Sequence, residues 1–148
     1  RGTAADVEAL VSFNQAMALE TEDKILSADT LRPGVAGVFD DEDRGFYLVA
    51  ASQISDAVVG GLMVTFEWSD WRAGFFWWIQ SVFVPQEARG HGVFRRLYEH
   101  VVSLSQEQSA RCCGLRLYVE HDNQRAMKVY EDVGMARTHY HIYEVDWT

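Results

Sequence analysis

The sequence predicts one mixed α/β domain, a sheet covered by helices, and three observations carry that prediction. The first is size and composition. The chain has 148 residues, 48% hydrophobic and 13% aromatic with only two prolines, which suffices for one core and shows no linker, repeat or low-complexity stretch. The second is a change of period at Pro85. Before it, apolar residues run in short blocks rich in Val, Ile, Phe and Tyr; after it, they return on a helical stripe. The third is order: strands first, then strand, helix, strand, helix, strand, which makes a mixed sheet with helices against it.

Taken in chain order, Val7, Leu10, Val11, Ala16 and Met17 fall at helical spacing behind Asp6 as cap, so a first helix is expected from Asp6 to about Leu19. A short second helix is expected over Pro33 to Phe39. Gly45 to Gln53 and Ala57 to Glu67 read as two antiparallel strands joined by a turn at Ser55-Asp56. Glu67 to Gly74 reads as a polar and aromatic turn. Phe75 to Val84 is almost wholly apolar, the pattern of a strand buried on both faces, and Pro85 ends it. Val93, Leu97, Val101, Val102 and Leu104 form one stripe of a helix from Gly92 to about Gln108. There follow a strand from Gly114 to Glu120, a helix from about Asn123 to Val133 closed by Gly134, and a final alternating strand from His139 to Trp147. Since helix begins almost at residue 6, the pattern implies a first strand cut away from residues 1–148, which otherwise form one domain.

Thirteen Lys and Arg stand against 22 Asp and Glu, a formal charge of −9. Nucleic acids and anionic membranes are bound by clustered basic residues, so neither is an expected partner, whereas a cationic one suits the balance. With no run of about 18 apolar residues and no apolar leader at the start, the chain reads as cytoplasmic. Cys112 and Cys113 are neighbours, which gives no staple and no metal-finger spacing, and two free thiols are expected. His139 and His141 would share one face of the final strand without a third ligand, so no metal is expected. The aromatic-rich final strand is compatible with a homodimer.

The informative segment is Val82-Phe83-Val84-Pro85-Gln86-Glu87-Ala88-Arg89-Gly90-His91-Gly92-Val93-Phe94, a buried strand, a loop with two glycines and a helix start. Glycines let a backbone approach a ligand closely, and N–H groups opening a helix form an anion site reinforced by the helix dipole. Phosphate is the natural ligand; the alternative is an ordinary strand–helix turn, since glycines at helix starts are common for steric reasons alone. The dinucleotide fingerprint is excluded, because its third glycine would fall on Arg95, and the P-loop is excluded for want of its Lys-Ser/Thr.

Strand, Arg89-Gly90-His91-Gly92-Val93 and amphipathic helix together resemble motif A of the GNAT superfamily of N-acetyltransferases, Q/R-x-x-G-x-G/A. About 35 residues later, Asn123 to Met135 is similar to the family's motif B, Asn-x-x-Ala-x-x-x-Tyr-x-x-x-Gly-Phe, with Asn123, Ala126, Tyr130 and Gly134 in register. One departure is Phe94, which stands where motif A ends in Gly or Ala. The resemblance spans most of Phe46 to Trp147 and implies a single GNAT-type domain: a mixed, mostly antiparallel sheet whose central parallel strands splay apart, with flanking helices.

The same resemblance implies acetyl-CoA as co-substrate. Its arm would pair with the backbone of Val82, Phe83 and Val84, and its pyrophosphate would meet Arg89, Gly90, His91, Gly92, Val93 and Phe94. Asn123 matches the position contacting the arm, although Asn is also a favoured helix cap. Tyr130 matches the tyrosine that protonates the departing thiolate. A tyrosine ordinarily titrates near about 10 and can donate at neutral pH; the alternative is a ring packed along Ala126, Val129 and Val133. The base is less marked: Gln80 cannot serve, and Glu67 is either the base or a solvated turn charge. The acceptor side would hold Glu20, Glu22, Asp23, Glu67, Asp70, Trp68, Trp71, Trp77, Trp78, Gln80, Tyr140 and Tyr143. Carboxylates among aromatic faces suit a small cationic amine, if the acids are not merely solvated and the tryptophans merely core. The expected function is direct acetyl transfer to such a primary amine in a ternary complex. The rivals are acetylation of a protein or peptide amine and a non-catalytic acyl-CoA-binding module.

Overall fold

A computed structural model describes residues 1–108 and 111–147. By internal contacts the chain divides into two compact units, Arg1–Tyr118 and Val119–Thr148.

The first unit holds a four-stranded sheet in the order β1-β2-β3-β4: Phe46–Ala51, Val58–Ser69, Gly74–Phe83 and Cys112–Arg116. β1, β2 and β3 pair antiparallel, and β3 and β4 pair parallel. Three helices accompany it, α1 (Val7–Glu22), α2 (Ala28–Asp40) and α3 (Val93–Glu107). Strand alternation sorts the side chains between two faces. Phe46, Leu48, Leu62, Val64, Trp77 and Ile79 go to one face, where Val93, Leu97 and Val101 of α3 close a core in which Leu62, Val64 and Val101 lose all solvent contact. Tyr47, Val49 and Met63 go to the other face, under Leu10 and Val11 of α1 and Val35 of α2.

Several boundaries differ from the expectations, each for a local reason. The Asp6 carboxylate does not cap α1. It reaches back to the N–H of Thr3 (2.8 Å), and α1 starts a residue later. Ser27 caps α2 by accepting from the Asp29 N–H at 3.3 Å, so that helix begins well before Pro33, which sits in its interior. The expected turn over Glu67 to Gly74 narrows, because Glu67, Trp68 and Ser69 pair with Phe76, Phe75 and Gly74. The fourth strand lies earlier than Gly114 to Glu120, where Cys112 through Arg116 find partners on β3.

In the second unit Asn123 caps helix α4 (Gln124–Asp132), accepting the Ala126 N–H on its side-chain oxygen at 3.0 Å. Gly134 follows with φ of 90°, the left-handed terminator expected there. The final strand from His139 to Trp147 is not formed among the described residues. Tyr140, Ile142, Tyr143, Val145 and Trp147 are all exposed, and the Tyr140 N–H turns locally to the Thr138 hydroxyl. Alternation fixes which side chains share a face but supplies no neighbouring backbone, and a strand exists only where a ladder partner exists. His139 and His141 therefore share no strand face.

Candidate active site

The site begins with a defect in the sheet. Gly61 pairs with Phe83 and Met63 with Gln80, so Ser81 and Val82 together oppose the single residue Leu62. This is a β-bulge, and it places Ser81 at φ 50°, a left-handed conformation unusual for a residue with a Cβ. The parallel pairing on the other side of β3 ends at Trp78 opposite Arg116. Beyond it, Ile79 through Phe83 run on without a β4 partner, so the two parallel strands part and leave a backbone edge open. Val82, Phe83 and Val84, named from the sequence for backbone contact, lie at the end of that edge. The Val84 carbonyl is already taken, accepting from Arg89 Nε at 2.8 Å.

From there the chain makes a single 3-10 turn over Gln86–Ala88 and enters α3 through Gly90 and Gly92, at φ 80° and 73°. A Cβ on either glycine would meet nothing within 4 Å, so the left-handed backbone, not internal crowding, is what calls for glycine here. The N–H groups of Gly90, His91, Gly92 and Val93 have no acceptor among the described residues. They open a 15-residue helix whose dipole favours an anion. The loop is braced from behind by Arg96 Nη2, which donates to the His91 carbonyl at 2.9 Å. Phe94 turns its ring onto Tyr98, one turn along α3, with centroids 6.1 Å apart. Gly60 supports the arrangement from β2, since a Cβ there would come within 2.8 Å of Val93 Cγ1.

The Arg89 backbone N–H, expected from the sequence among the pyrophosphate donors, is given to the Gln86 carbonyl at 3.2 Å. The Arg89 guanidinium forks onto Glu20 of α1, Nη1 to Oε1 at 2.8 Å and Nη2 to Oε2 at 2.6 Å. What Arg89 offers the loop is a strut to α1. Glu20, expected on the acceptor side, is its counterpart, and Glu22 pairs with Lys24 at 2.8 Å.

On the sheet face opposite α3, beside the open edge, Thr65, Glu67, Phe76, Trp78, Gln80 and Arg116 come together. Glu67 accepts from Arg116 Nη1 on both oxygens, at 2.9 and 3.1 Å, and from the Trp78 indole N–H. Gln80 donates to the Thr65 hydroxyl. Trp78 also meets the Tyr118 ring, 6.2 Å between centroids. Trp77, one residue earlier, points the other way into the core. Asp70 and Trp71 lie beyond the strand ends, Trp71 almost fully exposed and its N–H donating to Asp70 Oδ1. The sequence reading missed Arg116, although one charge between Leu115 and Leu117 in an otherwise apolar strand marks a residue facing away from the core. A cavity of about 870 Å³ between β1 and α3 lies on the other face of the sheet from this cluster.

In the second unit, burial pushes the Tyr130 phenol above its ordinary range, so it stays protonated at neutral pH. Cys112 and Cys113 are free thiols, as expected, and burial raises the Cys112 thiol as well.

An open strand edge running into a glycine loop whose N–H groups have no acceptor among the described residues offers hydrogen-bonding groups along its length and an anion site at its end. It agrees with the family assignment. The sequence model described as Acetyltransferase (GNAT) family matches residues 13–135, and the chain belongs to that family. It is 33% identical over 104 residues to the mycothiol acetyltransferase of Kocuria rhizophila, covering 66% of this chain and about a third (32%) of that protein's length. The crystal structure of a possible acetyltransferase from Clostridium difficile 630 superposes with a TM-score of 0.89 at 38% identity, over 99% of this chain and 95% of that one. A Trypanosoma brucei acetyltransferase shares the fold, with a TM-score of 0.71 at 20% identity over 98% and 95% of the two chains. No helix among the described residues is long and apolar enough to cross a membrane.

Proposed function

We propose that the protein transfers an acetyl group from acetyl-CoA to the primary amine of a small molecule, directly and in a ternary complex. The observation that carries this reading is the open edge of Ile79 to Phe83 leading into the left-handed glycines at the start of α3. That edge suits an amide-bearing arm, and the N–H groups of Gly90 to Val93 suit its pyrophosphate. Asn123 keeps its side-chain amide N–H₂ for the arm while its oxygen caps α4. When bound, acetyl-CoA supplies the acetyl group as a thioester, whose carbonyl an unprotonated amine can attack.

The chain's own residues then handle protons. Tyr130 donates to the leaving sulfur; its phenol, raised by burial, carries its proton at neutral pH. Glu67 receives the amine proton through water, because direct access to its oxygens is restricted by Arg116 and Trp78. The acids first read as a cation sink are partly spent: Glu20, Glu22 and Glu67 each hold a basic side chain. This favours an acceptor with a single amine over a polyamine.

The test pairs calorimetry with steady-state kinetics. Wild type binds acetyl-CoA, and Tyr130→Phe keeps that affinity while kcat falls about a hundredfold or more. Unchanged turnover in Tyr130→Phe removes the acid role. A wild type that binds acetyl-CoA and acetylates no amine is a non-catalytic acyl-CoA-binding module.

A further inference from the structure

Arg116 is the last residue of β4 to pair with β3, at the point where the two strands part. Its guanidinium lies over the Phe76 ring, 3.5 Å from the centroid, and 5.8 Å from that of Trp78. The platform is built for it. Gly114 is what lets the Phe76 ring lie across β4, since a Cβ there would come within 2.8 Å of Phe76 Cε1. Arg116 is about one-third exposed, neither a core residue nor a freely solvated one.

The arrangement of its donors is informative. An arginine has five N–H groups, and its Nε and Nη2 edge presents two of them in parallel. Arg116 spends Nη1 alone on Glu67. Its Nε and Nη2 have no acceptor among the described residues. Elsewhere in this protein the same edge is occupied: Arg32 holds the Glu8 carboxylate through Nε at 2.7 Å and Nη2 at 3.1 Å. Arg116 thus carries, stacked and held from one side, the fork that Arg32 uses on a carboxylate.

We propose that Arg116 determines acceptor specificity and that the acceptor it selects is a primary amine bearing a carboxylate, an inference that rests on the acetyltransferase reading of the same site. Glu67 offsets the formal charge of Arg116 but engages Nη1 alone and leaves the fork free. A bare cationic amine would meet an unsatisfied guanidinium, whereas an amine with a carboxylate a few bonds away would pair with it bidentately. Phe76, Trp78 and Tyr118 line the same face as an aromatic wall for the body of the molecule.

The test compares amino acids with their decarboxylated amines (phenylalanine with phenethylamine, histidine with histamine, lysine with 1,5-diaminopentane, and the remaining pairs). The readouts are CoA release, and calorimetric binding of each acceptor to the CoA-loaded protein. Wild type is expected to prefer the carboxylated member of at least one pair by tenfold or more in kcat/KM. Arg116→Gln should shrink that preference at least tenfold, mainly through KM and acceptor Kd. Arg116→Lys should restore only part of it, since an ammonium keeps the charge without the fork. A wild type that prefers the decarboxylated members, or a preference unchanged in Arg116→Gln, overturns the proposal. So does a wild type that binds acetyl-CoA but acetylates no member of any pair. Absence of acetyl-CoA binding instead overturns the acetyltransferase reading beneath it.

Discussion

Arg89 and Glu20 are 69 positions apart, and each was legible alone: a basic residue opening a glycine loop, an acid near a helix end. Their pairing was not, because no local pattern records which distant charge a flexible side chain will meet. The pair still bears on function, since α1 thereby steadies the loop that offers its N–H groups. Arg89 is only one-fifth exposed while Glu20 is half exposed, so water screens the pair in part. Replacing Glu20 by Gln should weaken acetyl-CoA binding about fivefold, equivalent to about 1 kcal/mol. Combining it with Arg89→Gln should cost less than the sum of the two single changes, as coupled neighbours do. Calorimetry on the four proteins reads this out, and full additivity would show that the two residues act independently. Phe94 was the departure from the motif, and its ring settles on Tyr98, an i, i+4 contact that the sequence permitted but did not require.

At the scale of elements, what was legible followed from periodicity. The three antiparallel strands, the apolar stripe of α3 and the Gly134 stop all lie close to where the apolar spacing placed them. The bulge was hidden, because Gln80-Ser81-Val82 reads as ordinary strand and only the register against β2 exposes the extra residue. The final strand, not formed among the described residues, shows the converse: a strand-like pattern is visible in residues 139–147, but a partner is not a property of the segment. The bulge makes a direct prediction. Ser81 at φ 50° bears a left-handed strain that glycine escapes, so Ser81→Gly should leave stability within about 1 kcal/mol of wild type or raise it. Ser81→Val adds a β-branched side chain in the same conformation and should cost about 1–2 kcal/mol or more. Urea midpoints at constant slope measure both. If valine were tolerated as well as glycine, Ser81 would not be held left-handed in solution.

Over the whole molecule, charge and burial combine in the response to alkali. Burial raises the phenols of Tyr47, Tyr98 and Tyr130, tempered at Tyr47 by the Asn14 side chain, and burial also raises the Cys112 thiol. For each of these groups the folded pKa lies above the unfolded one. The stability they contribute is therefore complete below the unfolded values, near about 8.5 for the thiol and about 10 for the phenols, and is lost as pH rises through the folded values. The formal charge of −9 acts in the same direction, because each added negative charge increases self-repulsion in the compact state. Stability should thus hold to about pH 8.5, decline as the thiol contribution is lost, and fall steeply above about pH 10, where the phenols join it. In an alkaline titration, the phenolate absorbance of Tyr47, Tyr98 and Tyr130 should lag behind that of unfolded tyrosine and complete only as the far-ultraviolet circular dichroism is lost. Added salt should move that loss to higher pH by screening the repulsion, without removing the lag, since the lag comes from burial. Full phenolate absorbance developing near pH 10 in a chain that remains folded would contradict the burial of these three rings.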